Sequence, residues 1–547
     1  MHAGERSPGG PELVDGPAVS APEGNPALRP AARRWQGAAA WVAGGLVLFA
    51  FFLRISYGER VDSDGANSAL QAWDLVHGHL MLHGWIFGDA TFYAFELPLN
   101  GILELLFGLG NLAVHVGSAL TYLIVVACAV ALATTSSRGP ARVVRGAVVV
   151  AVLAVPLLAV PTVWVLLEEP DHIGTSMFLL VCFLLIDRVP DRRFTAPLVG
   201  LILCAGQLSD ATVRYVAVPA VVGVCGYRVL AGRKLRSGDT ALVVAAIVSV
   251  PLESALRAAM VHFGAFAMVS PKAQLASPRL WPQHASVVWL DVRILFGSAS
   301  EPGHKLAVAS AAFGLICLLA AIFGLARAIG TWRRASRAEQ LLVAAIIFNV
   351  ATYLVSVMPL PNVSRELAAV LPCGAVLAAR ALVPARISRT PRAFTAVAAT
   401  GLIALLPLAA AATRPPMKPA TAPLAAWLEA HRLTHGIAGY WDASIVTLQS
   451  GNQIQIRAVN LWANIEAADW ETNTLWFNPS RYDATFVVAD YPGGRYPAAN
   501  FEHFLGTPAA TYRVASWLVL VYRTNLLRHI SPGPGPSGQT GHYAVRH

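Results

Sequence analysis

Charge is scarce in this chain. Of its 547 residues only 13% are Asp, Glu, Lys or Arg, while 55% fall in the hydrophobic set; a water-soluble globule carries about 25% charged residues. A single soluble domain is therefore excluded. Lysine is nearly absent at four residues, so arginine supplies the other 37 basic groups. Cysteine is sparse as well: Cys128, Cys182, Cys204, Cys225, Cys317 and Cys373 all lie inside apolar runs, with no CxxC spacing. That excludes a disulfide framework and a zinc ribbon, and leaves the thiols as small apolar packing residues.

What is present is a positive mean hydropathy of +0.54 and, despite the few charges, a net charge of +10 with a pI near 9.5. Such a balance invites a nucleic-acid partner, and the distribution of the charge decides the matter. Residues 1–35, rich in Pro, Gly and Ala, read as a disordered cytoplasmic tail. The first apolar run, Trp35 to Leu53, follows Arg33 and Arg34 and lacks a small-residue cleavage site, so it reads as an uncleaved anchor. Further runs of spanning length lie near 113–134, 146–166, 173–187, 194–208, 215–230, 239–256, 306–326, 340–358, 367–383 and 394–412. Together they predict about 11 transmembrane helices, each near the roughly 20 residues a helix needs to cross a bilayer.

Alternate connections are arginine-rich, from Arg138, Arg142 and Arg145 to Arg380, Arg386, Arg389 and Arg392. On this topology the cytoplasmic segments hold 22 Lys and Arg against 8 acids, and the outer segments 19 against 23. The basic balance is a topology signal, and no nucleic-acid partner is expected. The predicted fold is an all-α polytopic membrane protein over 36–413 with long outer loops at 54–111 and 261–305. A small extracytoplasmic α/β domain follows over 414–530, then a disordered tail over 531–547. In that domain a helix is expected over Ala420 to His431, and strands are expected in IAGYWDASIVTLQSG, IQIRAV, ATFVVAD and YRVASWLVLVYR. The Ala, Gly, Pro and Arg load points to a GC-rich bacterial source, hence to the bacterial inner membrane with a cytoplasmic N-terminus.

The chemistry-bearing residues gather on the outer side. Asp62 and Asp64 arrive soon after the first span, ahead of a helical pattern (Ala66, Ala69, Leu70, Trp73), where a carboxylate serves as a proton acceptor, a cation ligand or a helix cap. Asp89 and Glu96 follow in the same loop, and the second outer loop carries Glu168, Glu169, Asp171 and His172. Arg365, between the ninth and tenth expected spans, suits a phosphate at headgroup level, or a local pair with Glu366. Asp210 with Arg214 and Glu253 with Arg257 have the i, i+4 spacing of helix-face pairs. His79 and His83 share that spacing, but Gly78 and Gly84 weaken any helix there. The stretch PRLWPQHASVVWLDVRILFG reads as an interfacial helix.

This plan resembles the GT-C superfamily of glycosyltransferases, which includes the protein O-mannosyltransferases and the lipid A aminoarabinose transferases. The resemblance lies in the first span, the long first outer loop opening on Asp62-Ser63-Asp64-Gly65 with ANSALQAWDLVHGH behind it, the many further spans and the C-terminal outer domain. The family's usual signature is Asp followed by Glu; here the Glu is missing, so both aspartates remain candidates and Asp64, directly against the helix, is preferred. The resemblance implies a polyprenyl-phosphate-linked sugar donor, of mannose or arabinose type, and a glycan or protein acceptor, met among membrane lipids. It implies Asp64 as base and Asp62 as its support, with both as ligands of a divalent cation such as Mg, Mn or Ca. Glu168, Glu169, Asp171, His172, Asp89 and Glu96 would bind substrate, and Arg365 the donor phosphate. A transporter or flippase is the competing class, but acids are almost missing from mid-span and no repeat relates the halves. A non-catalytic envelope scaffold is the third.

Overall fold

The computed structural model describes residues 28–167, 172–189, 192–232, 238–269, 274–299, 307–357, 364–387, 395, 399 and 405–531. Residues up to Leu48 group by themselves, and their described part is the opening of the first helix; the rest, from Phe49 on, forms a second unit. The helices in chain order are α1 (Leu28–Ser56), α2 (Ser63–Val76), α3 (Glu96–Phe107), α4 (Asn111–Ala133), α5 (Pro140–Ala154), α6 (Val160–Leu167) and α7 (His172–Arg188). They continue with α8 (Thr195–Ser209), α9 (Thr212–Gly232), α10 (Gly238–His262), α11 (Trp281–Leu295), α12 (Ala307–Gly330), α13 (Arg337–Val355) and α14 (Val370–Leu382).

Among the described residues seven helices are long and apolar enough to cross a membrane: α1, α4, α5 with its 3-10 extension, α9, α10, α12 and α13. An eighth span results if α6 and α7, bent by 64° to one another, are one broken crossing. The chain is thus a multi-pass membrane protein, with fewer full-length spans among the described residues than the eleven expected. The runs at 194–208 and 367–383 form α8 and α14, of only 15 and 13 residues, and most of 394–412 falls outside the described residues.

Local chemistry sets several of these boundaries. Asp62 is the N-cap of α2, its Oδ1 accepting from the amides of Asp64 at 2.9 Å and Gly65 at 3.1 Å, which satisfies two of the amides a helix start leaves open. Ser336 and Glu339 form a capping box at the start of α13. At that end of the bundle two buried arginines close other helix ends. Arg145 donates to the carbonyls of Ala133 and Val383 and to Ser136, and Arg380 to the carbonyl of Leu132 and to Thr135 and Ser336. Glu253 receives both Arg257 and Arg214. The expected Asp210–Arg214 pair therefore does not form, because Asp210, just past the end of α8, turns to α7 instead.

The C-terminal region is a six-stranded sheet in the order β5-β4-β3-β7-β9-β8, from β3 (His435–Gly439), β4 (Gln455–Leu461), β5 (Ile465–Ala467), β7 (Phe486–Asp490), β8 (Ala510–Val514) and β9 (Trp517–Val521). It is flanked by α15 (Ala422–Ala430), α16 (Tyr440–Gln449) and α17 (Ala498–Leu505). β3 pairs in parallel with both β4 and β7, while β9 pairs antiparallel with β7 and β8. The stretch IAGYWDASIVTLQSG, expected as strand, is only strand up to Gly439 and then helix. Parallel neighbours cannot be joined by a tight turn, and α16 is the crossover that carries the chain from β3 to β4. A small second sheet joins this region to the first loop: β1 (Trp85–Phe87) pairs antiparallel with β6 (Thr472–Asn473) and parallel with β2 (Ala267–Met268).

Candidate active site

The site is assembled where α2, the loop after β1, the start of α7, the 3-10 turn Ser364–Leu367 and the C-terminal region meet. Asp62 and Asp64 divide their labour. Because Asp62 caps the helix, Asp64 is free of that duty, and its Oδ1 instead accepts from the Tyr440 hydroxyl at the start of α16. Behind Tyr440 the donors run in one direction. Ser444 Oγ donates to Asn67 Oδ1 at 2.5 Å, and Asn67 Nδ2 donates to the Tyr440 hydroxyl at 3.3 Å. Ser63 Oγ also donates to the Tyr440 carbonyl at 2.9 Å. Burial and the neighbouring Asp62 and Asp89 charges push the Asp64 carboxyl up to about 6, against the opposing pull of the Tyr440 hydrogen bond and Arg365.

A second group lies on the bundle side. His172 Nδ1 meets Asp210 Oδ2 at 2.6 Å, and the same carboxylate accepts from Thr175 Oγ1 at 2.5 Å and, through Oδ1, from the Thr212 amide at 2.7 Å. Burial opposes ionisation of Asp210, but the His172 charge and these hydrogen bonds outweigh it and hold the carboxyl down at about 2. With Nδ1 engaged, His172 turns Nε2 toward Glu366 Oε1, 3.5 Å away. Burial raises Glu366 to about 7, with His172 and Arg365 pulling it down and Asp89 and Asp210 pushing it up.

Asp89 and Arg365 link the two groups, since both charges act on Asp64 and Glu366 alike. The loop carrying Asp89 is pinned to the end of α8 by the Thr91 hydroxyl on the Leu208 carbonyl at 2.7 Å and the Ala94 amide on Ser209 Oγ at 2.8 Å. Asp89, His172 and Glu366 each offer a ligand atom, all within 4.8 Å of one another. One imidazole and two carboxylates, the imidazole oriented by Asp210, suit a divalent cation. Among the described residues this trio is the group of three ligating side chains that lie close enough together to share a cation. His79 and His83 lie beyond the end of α2 and do not share a helix face.

Glu96 takes a different place from the one expected. It is 1% exposed on α3 and lies so close to α7 that a Cβ on Gly174 would come within 1.9 Å of its Oε1; it backs the site without opening into it. Burial pushes it up to about 8. Glu168, Glu169 and Asp171 lie outside the described residues. Sequence reasoning missed Tyr440, Asp210 and Glu471, and saw Glu366 only as a neighbour of Arg365. Glu471 comes from the C-terminal region, is 9% exposed and has φ +43°. Burial and the charges of Asp64, Asp89 and Asp62 push its carboxyl well above the usual range, with Arg365 opposing.

No protein-family model matches the sequence, and no curated protein matches it. Solved structures do. ArnT from Cupriavidus metallidurans in the apo state aligns with a TM-score of 0.52 at 12% identity, over 91% of this chain and 100% of that one. ArnT from the same organism bound to undecaprenyl phosphate gives 0.42 at 14% identity, over 89% and 98%. The Archaeoglobus fulgidus oligosaccharyltransferase in its apo form gives 0.44 at 14% identity, over 82% and 69%. The likeness to apo ArnT, at 12% identity, is one of fold: a helical membrane protein with a small C-terminal sheet domain.

Proposed function

We propose that the protein is a membrane glycosyltransferase that moves a sugar from a polyprenyl-phosphate donor to an acceptor hydroxyl. The acidic end of the bundle would face the extracytoplasmic side of a bacterial inner membrane. The observation that carries the reading is Asp64, a carboxylate tuned to about 6 by burial and held by Tyr440 in the field of Arg365. Transfer of a sugar from a phosphate needs an acceptor for the hydroxyl proton and fixed positive charge for the departing phosphate, and this end of the bundle holds both.

In this reading the acceptor oxygen bonds to the anomeric carbon as the bond from that carbon to the phosphate oxygen breaks. The hydroxyl proton passes to Asp64, and the bonding electrons leave with the lipid phosphate, which Arg365 receives. Asp89, Glu366 and His172 are the residues that would hold a divalent cation, whose charge would help neutralise the phosphate. Glu168, Glu169 and Asp171 are kept as substrate-side candidates, and the sugar as mannose or arabinose. Asp64→Asn removes the proton acceptor while keeping the shape. Purified variant supplied with polyprenyl-phosphate sugar should lose transfer by about 10² to 10⁴-fold and unfold at the wild-type temperature; undiminished transfer would sink the assignment.

A further inference from the structure

We propose that the outward face of α11 and the start of α12 form a binding site for one anionic phospholipid, with Arg293 holding its phosphate. This inference does not rest on the transferase reading. α11 packs on the Ser364–Leu367 turn, hence at the acidic end of the bundle, and its two faces are the reverse of a soluble helix. The polar side chains turn inward onto α13, where His284 Nδ1 lies 2.9 Å from the Leu354 carbonyl oxygen and Asp291 Oδ2 accepts from the Tyr353 hydroxyl at 3.1 Å. On the other face Trp281, Trp289 and Arg293 recur at helical spacing, with both indoles exposed. Indoles turned outward beside membrane spans belong at the boundary of headgroups and hydrocarbon, so this face meets lipid.

The groove beside it has a structural origin. After α11 the chain turns through Phe296–Ser298 and lies flat on α12, because Gly314 offers no side chain: a Cβ there would come within 2.4 Å of the Phe296 carbonyl oxygen. Next to that contact Ala311 and Ala312 are small. They leave a cavity of about 450 Å³ lined by Trp289, Arg293, Ser298, Ala311, Ala312 and Leu315. Its floor continues into the exposed apolar side of α12, a helix long and apolar enough to cross the membrane.

Arg293 is the charge in this groove. Its Nη2 donates to the Ser298 carbonyl at 3.3 Å, and it forms no ion pair among the described residues, unlike Arg214 and Arg257, which share Glu253. Most of its five donors are therefore open to a ligand. A cation above a strip of small and apolar side chains, next to an interfacial indole, matches one phosphate carrying a hydrocarbon chain. Free phosphate would leave the floor unfilled, and a zwitterionic headgroup would set its own cation against the guanidinium.

The test is native mass spectrometry of the full-length protein in detergent, titrated separately with palmitoyl-oleoyl phosphatidylglycerol and with the corresponding phosphatidylcholine. Wild type should bind the first phosphatidylglycerol about tenfold more tightly, the order of one charge-assisted hydrogen bond. Arg293→Gln should reduce it to the level of phosphatidylcholine. Ala312→Phe fills the floor and should weaken both lipids while keeping the preference. Arg279→Gln, on the exposed turn ahead of α11, should change neither. Unfolding temperatures of all three variants in lipid-free detergent should match wild type, which separates lost lipid from lost fold. Equal binding of the two lipids by wild type, undiminished phosphatidylglycerol binding by Arg293→Gln, or an equal loss from Arg279→Gln would each overturn the site. Displacement of the bound phosphatidylglycerol by equimolar polyprenyl phosphate would overturn the occupant and give the groove to the donor lipid.

Discussion

The two ends of the helical bundle bury charge in opposite ways. At one end Arg145 and Arg380 are 4% and 6% exposed, and their guanidinium groups are hydrogen-bonded to carbonyls at the ends of α4 and α14 and to nearby hydroxyls. At the other end Asp64, Asp89, Glu366 and Glu471 crowd one another, and Arg365 and His172 are the cationic groups acting on them. α14 connects the two, with Glu366 just before its first turn and Arg380 in its last, about 20 Å apart at 1.5 Å per residue. Buried charge whose partners are helix ends holds a fold together. Buried charge that repels its neighbours destabilises the fold and is retained where chemistry needs it.

The sharpest way to break this contrast is a pair of reciprocal substitutions. Arg380→Ala leaves the Leu132 carbonyl, two hydroxyls and Asp187 without their cation, and should lower stability by about 3–5 kcal/mol. Transfer per folded molecule should stay at the wild-type level. Asp64→Asn should do the reverse. Thermal unfolding in detergent alongside transfer to acceptor reads both; a large activity loss from Arg380→Ala in protein that remains folded would erase the distinction between the two ends.

A smaller effect tests the acidic end alone. Asp64 and Glu366 are raised to about 6 and 7, so the folded state keeps protons that the unfolded chain releases near pH 4. Wherever the folded state binds more protons, stability falls as pH rises. Unfolding temperature, measured with a chelator present, should therefore be higher at pH 5 than at pH 8, and Asp64→Asn with Glu366→Gln should reduce the slope, Glu96, raised to about 8, keeping part of it. Asp210 has the opposite sign, but its stabilisation is lost only as pH falls toward 2, outside that window. A wild-type curve that rises from pH 5 to 8 would mean that these carboxyls are not crowded.

The unequal legibility of the two ends has a physical cause. The arginine-rich end follows from loop composition and the positive-inside rule, and the apolar runs within the described residues fall on helices because apolar run length is a local property. The start of α2 is equally local, since Asp62 caps amides only two and three residues on. The site is made of partners far apart in sequence: Asp64 meets Tyr440, and Glu471 is delivered by a strand that pairs with β1. No periodicity carries such information. Tyr440 was hidden further by its β-branched and aromatic surroundings, which read as strand until the parallel pairing of β3 and β4 demands a helix between them.

The finest test of the contrast is Tyr440→Phe, which removes one oxygen. At the arginine-rich end a lost hydroxyl, such as Ser336, would cost stability, since it supports a helix cap. At the acidic end the ring of Tyr440 can stay packed, while Asp64 loses the donor that stabilises its ionised form. The acidic limb of the transfer rate should then move to higher pH, because Asp64 must be ionised to take a proton. At neutral pH the rate should fall by no more than about tenfold, the worth of one hydrogen bond of about 1.4 kcal/mol. Ser444→Ala, one step further along the same line of donors, should shift the limb in the same direction but by less. A shift of equal size from both would mean that the relay, rather than the Tyr440 hydroxyl, sets the affinity of Asp64 for its proton.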